Sequence, residues 1–156
     1  MSVRARSVAV VALAAYVAFV IAVLLWPTPV DAPIDGTLAR LLAAAQRHGL
    51  PAAVDYETVE VLANVAMFVP VGALLAAALP ARRRWLAIVA CLLLSSCGEA
   101  AQALLLPARF ASLGDIEANG TGGLIGWLLT VLLVLRHARR GRSTIHETPR
   151  RPTLNR

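Results

Sequence analysis

The sequence predicts an all-α integral membrane protein, built as a four-helix bundle with a short amphipathic helix on its outer surface. Of its 156 residues, 58% are hydrophobic, and the mean hydropathy is +0.69. Only 15% of the residues are charged, against roughly 25% in soluble domains. Four apolar stretches reach the length of about 20 residues with which a helix crosses a bilayer. This composition excludes a disordered chain and argues against an ordinary soluble globule.

Each apolar stretch predicts one helix. The first follows Arg4 and Arg6 in the manner of a secretory signal, but its apolar core exceeds the usual signal length of about 7–15 residues. We therefore expect it to be retained as a helix. The four stretches are Ser7–Trp26, Val61–Leu79, Trp85–Leu106 and a run from near Asn119 to Leu135.

The long connection after the first stretch contains its own helical pattern. Asp35 provides a start signal, and Gly49 followed by Pro51 provides a stop signal. Between them, apolar residues recur at helical spacing, which predicts a short amphipathic helix lying on the outer membrane surface. We expect this helix to cover the bundle rather than to bind a ligand. Its apolar positions are Leu38, Leu41, Leu42 and Ala45.

The composition of two other segments predicts a tight turn and a disordered tail. The short connection Pro80–Arg84 predicts a tight turn, so the second and third spans are antiparallel neighbours. From Gly141 onward the chain is polar, rich in Arg and interrupted by proline, which predicts a disordered tail. The expected organisation is a membrane domain at 1–140 and a disordered cytoplasmic tail at 141–156.

The distribution of arginine predicts the orientation. The chain has no lysine, and 12 of its 15 arginines lie in the N-terminus, the Pro80–Arg84 turn and the segment from Arg136 onward. The positive-inside rule therefore places both termini in the cytoplasm. The net charge of +6 could suggest nucleic acid as a partner. We expect none, because the arginines lie in short clusters beside apolar runs.

Several polar residues lie where a bilayer disfavours them. Glu99 is roughly 12 Å inside the outer end of the third run, and ionisable groups at such depth are functional candidates. Ser95 and Gln102 share its helix face. Asn64, Arg109, Asp115 and Asn119 map to the same outer level. The expected ligand-binding residues are Asn64, Glu99, Gln102, Arg109, Asp115 and Asn119.

Two interpretations of this cluster remain open. In the first, Glu99 pairs with Arg109 and the amide side chains only tie helices together. In the second, which we favour, the cluster lines a cavity that holds an anionic or sugar-bearing headgroup. Asn119 would then cap the fourth helix, whose N-terminus and Arg109 together form an anion site. Asp115 would orient the arginine.

The remaining glycine and cysteine patterns predict structure rather than chemistry. Gly122 and Gly126 form a small-xxx-small pair, which is typical of close helix approach in membranes. Cys91 and Cys97 lie on one helix and point in different directions, so we expect no disulfide. We also expect no metal and no cofactor, because two cysteines are too few for a metal framework.

The order of these residues resembles the VanZ-like family of small bacterial membrane proteins. The resemblance covers roughly Trp26 to Leu135. One departure is Ser112, at a position where the family usually has an acidic residue. The matching residues are Asn64, Phe68, Pro70 and Gly72 in the second run, Glu99, Gln102, Pro107 and Arg109 around the end of the third, and Asp115, Asn119, Gly122 and Gly126 in the last.

The resemblance implies a bacterial plasma-membrane protein of the cell envelope, because the founding family member is associated with low-level resistance to the glycopeptide teicoplanin. We expect a non-enzymatic protein that binds membrane lipids or lipid-linked envelope intermediates. The alternative is an intramembrane enzyme, with Glu99 or Asp115 as general base and Arg109 clamping a phosphate. A transporter subunit is the weakest hypothesis, since no polar track crosses the inner half.

Overall fold

The computed structural model describes residues 3–26, 35–106 and 112–145. The described chain is all-α, as the sequence predicts. It contains five α-helices, with a short 3-10 turn at Ala81–Arg83 between the third and fourth. The helices are α1 Val3–Leu24, α2 Asp35–Arg47, α3 Tyr56–Ala78, α4 Leu86–Leu105 and α5 Leu113–Ile145.

The surface helix α2 confirms the short helix expected in the long connection. It ends at Arg47, and Gly49, two residues later, has a φ of 104° that is accessible to glycine at little cost. The N–H of Leu50 donates to the carbonyl of Ala45 at 3.0 Å, and the N–H of Gly49 donates to Gln46 at 3.2 Å. These two bonds form the Schellman arrangement that satisfies the last carbonyls of a helix. Its position on a membrane surface stays a prediction.

Helix α3 begins five residues before the apolar run that predicts it, because a polar cap starts it. Asp55 is the N-cap, and its Oδ1 accepts from the Thr58 N–H at 2.9 Å. The Thr58 hydroxyl donates to the Ala53 carbonyl at 2.7 Å. The hydrogen bonds from the Thr58 backbone and hydroxyl hold the pKa of Asp55 below its ordinary value. Glu57 in the first turn further suits the helix N-terminus.

The connection between α3 and α4 is the predicted tight turn. The Arg83 N–H donates to the Pro80 carbonyl at 2.8 Å. Helix α4 ends at Leu105, and Leu106 adopts φ −122° and ψ 89°. A residue before proline avoids the helical region because of the proline ring. The predicted end of α4 ahead of Pro107 is therefore confirmed, although Pro107 itself lies outside the described residues.

Helix α5 corrects the predicted start of the fourth span. It begins at Leu113, not near Asn119, so Asn119 lies in the second turn and does not cap the helix. Asp115 falls in the first turn, where a carboxylate stabilises the helix dipole. The helix also continues to Ile145, past the expected domain boundary at 140. Residues 146–156 are not described, so the disordered tail stays a prediction.

The core lies between α1, α3 and α4. Its side chains are apolar and buried, and α1 is further held by the Tyr16 hydroxyl, which donates to the Met67 carbonyl at 3.0 Å. The core residues are Val20, Leu24, Phe68, Val71 and Cys91. Cys91 is buried and Cys97 exposed, and both are free, as their directions on α4 predict.

Helices α3 and α5 meet along a seam of glycines, Gly72, Gly122 and Gly126, which we call the glycine seam. A Cβ on Gly122 would overlap the backbone carbonyl of Val65, and one on Gly126 would overlap that of Val69. A Cβ on Gly72 would overlap the backbone of Gly123. The two helices are therefore parallel, and the predicted close approach at Gly122 and Gly126 is confirmed.

Three helices are long and apolar enough to cross a membrane by length and composition. They are Tyr56–Ala78, Leu86–Leu105 and Leu113–Arg140. In α1, the apolar stretch among residues with described side chains is Val10–Leu24, which is shorter than these spans. Membrane crossing by α1, and with it the complete four-span topology, stays a prediction.

Candidate functional site

The polar residues singled out by the sequence gather at one end of the molecule. This end holds the N-termini of α3 and α5 and the C-termini of α1 and α4. We call it the acidic end, because it contains every acidic side chain whose contacts or exposure the structure describes. Those residues are Asp55, Glu57, Glu60, Glu99, Asp115 and Glu117.

Glu99 lies against the start of α5. Its side chain is 4% exposed, and its Oε2 accepts from the backbone N–H of Ser112 at 2.6 Å. Ser112 directly precedes the first residue of α5, so the carboxylate lies where the helix dipole is positive. A carboxylate of the chain itself therefore already lies at the N-terminus for which the sequence predicted a ligand anion.

Asn119 pairs with Ser95 between α5 and α4. Both side chains are 0% exposed, and the Asn119 Nδ2 donates to the Ser95 Oγ at 2.9 Å. The Asn119 Oδ1 is buried and has no hydrogen-bond partner among the described residues. A buried polar atom without a partner is costly. It therefore marks a position where a hydrogen-bond donor would be favourable.

Gln102 attaches α4 to α1. Its side chain is 3% exposed, and its Nε2 donates to the backbone carbonyl of Leu24 at 2.7 Å. Leu24 is the last residue of α1, whose final carbonyls have no partner within their own helix. Gln102 thus satisfies a helix end inside the protein, and its amide nitrogen is occupied by this structural bond.

Asn64 and Asp115 join α3 to α5. The Asn64 Nδ2 donates to the Asp115 Oδ1 at 2.8 Å, and the pair is part-buried. Arg109 lies outside the described residues, so its expected pairing with Glu99 or Asp115 and its grip on a phosphate stay predictions. The structure thus brings five of the six expected site residues to one end, in separate hydrogen-bonded pairs.

The partners of these side chains include two backbone groups that the sequence does not reveal. The N–H of Ser112 and the carbonyl of Leu24 are used through the backbone, so their residue types give no signal. A serine just before a helix is at most a hint of a helix start. Residue type therefore gives no indication that Leu24 is a partner.

The described part of the site is rich in acceptors. Glu99 and Asp115 contribute carboxylates, and Asn119 contributes the unpartnered carbonyl oxygen. Such a set suits a ligand group that donates hydrogen bonds, such as a hydroxyl or an ammonium. Among the residues with described side chains, no group of three His, Cys, Asp or Glu could hold a metal ion.

An all-α chain with membrane-length helices defines a small membrane protein, here with polar side chains gathered at one end. The chain belongs to the VanZ/LLP1 family, whose model matches residues 13–134. This match runs from within α1 to within α5 and confirms the resemblance seen in the sequence. No curated protein and no solved structure matches the chain.

Proposed function

We propose that this VanZ/LLP1 protein binds a lipid or lipid-linked component of the bacterial cell envelope at its acidic end. The observation that supports this most directly is the unpartnered Asn119 Oδ1, fully buried between α4 and α5. Ser95, which pairs with Asn119, lies one helical turn from Glu99 on α4. A hydroxyl-bearing headgroup would donate to the Asn119 oxygen and to the nearby carboxylates.

An amphiphilic ligand fits the location. Ser95 and Glu99 lie within a helix of membrane-spanning length, and Asn119 lies within another. A ligand that reaches this depth must place apolar chains in the bilayer while its polar part meets the site. Polar groups inside a membrane also favour pairing with other polar groups rather than with hydrocarbon. A lipid headgroup, or the sugar of a lipid-linked intermediate, has this combination.

An effect on glycopeptide susceptibility would follow indirectly. Sequestering or presenting an envelope intermediate changes how much of it meets a glycopeptide outside the cell. The family membership supports this link only at the level of the family, because a fold does not fix a function. The effect on teicoplanin susceptibility is therefore the second part of the proposal and is measured separately from lipid binding.

The test is the lipid content of the protein extracted from bacterial membranes in polymer nanodiscs. We expect the wild type to be enriched in one hydroxyl-rich or sugar-bearing lipid relative to the bulk membrane. Glu99→Gln and Asn119→Leu should each lose this enrichment by about tenfold, as loss of one charge-assisted or buried hydrogen bond predicts. Glu57→Gln is the matched control, because Glu57 is exposed at the same end.

Equal lipid content in the wild type, Glu99→Gln and Glu57→Gln would contradict the proposal. The enzymatic alternative, with Glu99 or Asp115 as base, predicts a change in the mass of the bound lipid during incubation. That change should disappear in Glu99→Gln. The minimum inhibitory concentration of teicoplanin, measured for cells that express the same variants at equal abundance, tests the effect on susceptibility.

A further inference from the structure

The end opposite the acidic end carries a concentration of arginine. Thr130, near the middle of α5, donates to the carbonyl of Ala73 at 3.1 Å, five residues before the end of α3, and the two helices run parallel. The α3–α4 turn and the C-terminal turns of α5 therefore lie at the same end. We call this the basic end, and its arginines with described side chains are Arg82, Arg83, Arg84, Arg136, Arg139 and Arg140.

The described residues of the basic end include no aspartate or glutamate. Arg82, Arg83 and Arg136 are exposed. Exposed arginines clustered at one end of a membrane protein attract anionic lipid headgroups.

Arg84 differs from the other arginines of this end because it is half-buried. Its Nε is buried and has no hydrogen-bond partner among the described residues. A guanidinium N–H without an acceptor is costly, and its strongest partners are carboxylates and phosphates. The next residue, Trp85, is 56% exposed. Tryptophan at this position is typical of the boundary between lipid chains and headgroups.

We propose that the basic end binds the phosphate of an anionic phospholipid, with Arg84 as its principal contact. The guanidinium of the half-buried Arg84 donates to a phosphate oxygen, while Trp85 lies beside the acyl chains. Arg82, Arg83 and Arg136 attract the headgroup by their charge. This site lies at the opposite end from the envelope-lipid site and does not depend on it. A soluble phosphate shares the headgroup chemistry but lacks the acyl chains.

The test measures lipid binding to the purified full-length protein by native mass spectrometry in detergent. Phosphatidylglycerol and phosphatidylcholine with identical acyl chains are compared, and glycerol 3-phosphate is the soluble arm. We expect phosphatidylglycerol to bind at least about tenfold more tightly than the other two, as a charge-assisted guanidinium contact predicts. This preference should weaken as salt concentration rises.

Arg84→Gln should reduce the affinity for phosphatidylglycerol about tenfold. Arg84→Lys keeps the charge without the guanidinium, so its affinity should fall between those of the wild type and Arg84→Gln. Arg47→Gln is the matched control, because Arg47 is an exposed arginine on α2 and loses the same charge. Its affinity should stay at the wild-type value.

Three results would overturn this proposal. The wild type could bind phosphatidylglycerol and phosphatidylcholine equally, a measurement that needs no variant to fold. Glycerol 3-phosphate could bind as tightly as the lipid, which would identify a soluble phosphate as the ligand. Finally, Arg84→Gln, shown to be folded by circular dichroism, could bind phosphatidylglycerol as tightly as Arg47→Gln.

Discussion

The glycine seam and the acidic end both attach α5 to its neighbours, but by opposite means. Along the seam, Gly122 and Gly126 let the backbone of α5 touch the backbone of α3, with no side chain between them. At the acidic end, helices are joined through side chains, as in the pairs Asn64–Asp115 and Asn119–Ser95. The seam tolerates no added atom, whereas the acidic end leaves an oxygen of Asn119 unpartnered.

This difference indicates which region sets the structure and which is available for function. Close packing between backbones is lost with a single methyl group, so the seam determines how α3 and α5 cross. Hydrogen bonds within membrane proteins average about 0.6 kcal/mol each, so the polar pairs contribute little to the stability of helix packing. The weak net stabilisation by these pairs and the unpartnered Asn119 Oδ1 are the features that support the proposed ligand site.

The largest expected effect is at the seam. Gly126→Ala places a methyl group against the carbonyl of Val69 and should lower the free energy of unfolding by about 3 kcal/mol, near the upper end for overpacking. Gly36→Ala on α2 is the control, because nothing lies within 4 Å of its added Cβ. Equal unfolding of the two variants, followed by circular dichroism in detergent, would show that the seam is loosely packed.

A smaller loss is expected where α4 holds the end of α1. Gln102→Met keeps the length of the side chain but removes its bond to the Leu24 carbonyl. We expect a loss of about 1.5 kcal/mol, near the upper end for intramembrane hydrogen bonds, because the site is buried. Gln46→Met is the control, because it removes a comparable bond, from Gln46 to the Val54 carbonyl in the connection between α2 and α3. The same unfolding assay would contradict this prediction if Gln46→Met were the more damaging variant.

The pair between α4 and α5 should contribute less. Ser95→Ala removes the acceptor of the Asn119 amide and should cost about 0.6 kcal/mol. Ser96→Ala is the neighbouring control, since Ser96 is exposed. A double-mutant cycle of Ser95→Ala with Asn119→Ala measures the pair itself. A coupling of several kcal/mol would remove the contrast between the polar end and the seam.

The smallest effect is local to the start of α3. Asp55→Ala should fray the first turn and raise the amide hydrogen-exchange rate of Thr58. The Thr58 N–H donates a hydrogen bond to the Asp55 carboxylate, and the variant removes this bond. The lowered pKa of Asp55 means that the cap is fully present above the ordinary aspartate pKa. The cap is lost as the pH falls through that lowered pKa. Unchanged exchange at Thr58 in Asp55→Ala, at neutral pH, would contradict this role.

The sequence predicts the apolar helices well because bilayer-length hydrophobic runs leave few alternatives. It also predicts the close approach at Gly122 and Gly126, confirmed by the overlap that a Cβ would create there. The end of α4 follows from Pro107, since the residue before proline avoids helical angles. These features depend on local residue types, which is why they are readable without the fold.

The start of α5 is not readable in the same way. Asp115, Glu117 and Asn119 interrupt the apolar pattern, so hydropathy alone places the helix after them, whereas the structure begins it at Leu113. The N–H of Ser112, just ahead of that start, is satisfied by Glu99 from another helix, a long-range contact that local pattern does not show. The expected role of Asn119 as a cap failed for this reason. The hydrogen bond from Gln102 to a backbone carbonyl of α1 likewise gives no signal in the sequence.

The parallel arrangement of α3 and α5 imposes an order on biosynthesis. Val65 and Gly122 touch, yet 57 positions separate them in the chain (122 − 65). At roughly 5–20 residues per second, the ribosome needs about 3–11 s to supply the partner of α3. During that interval the glycine face of α3 has no partner helix, because α4 is synthesised before α5. The close contact between α3 and α5 therefore forms only after α4 has been synthesised.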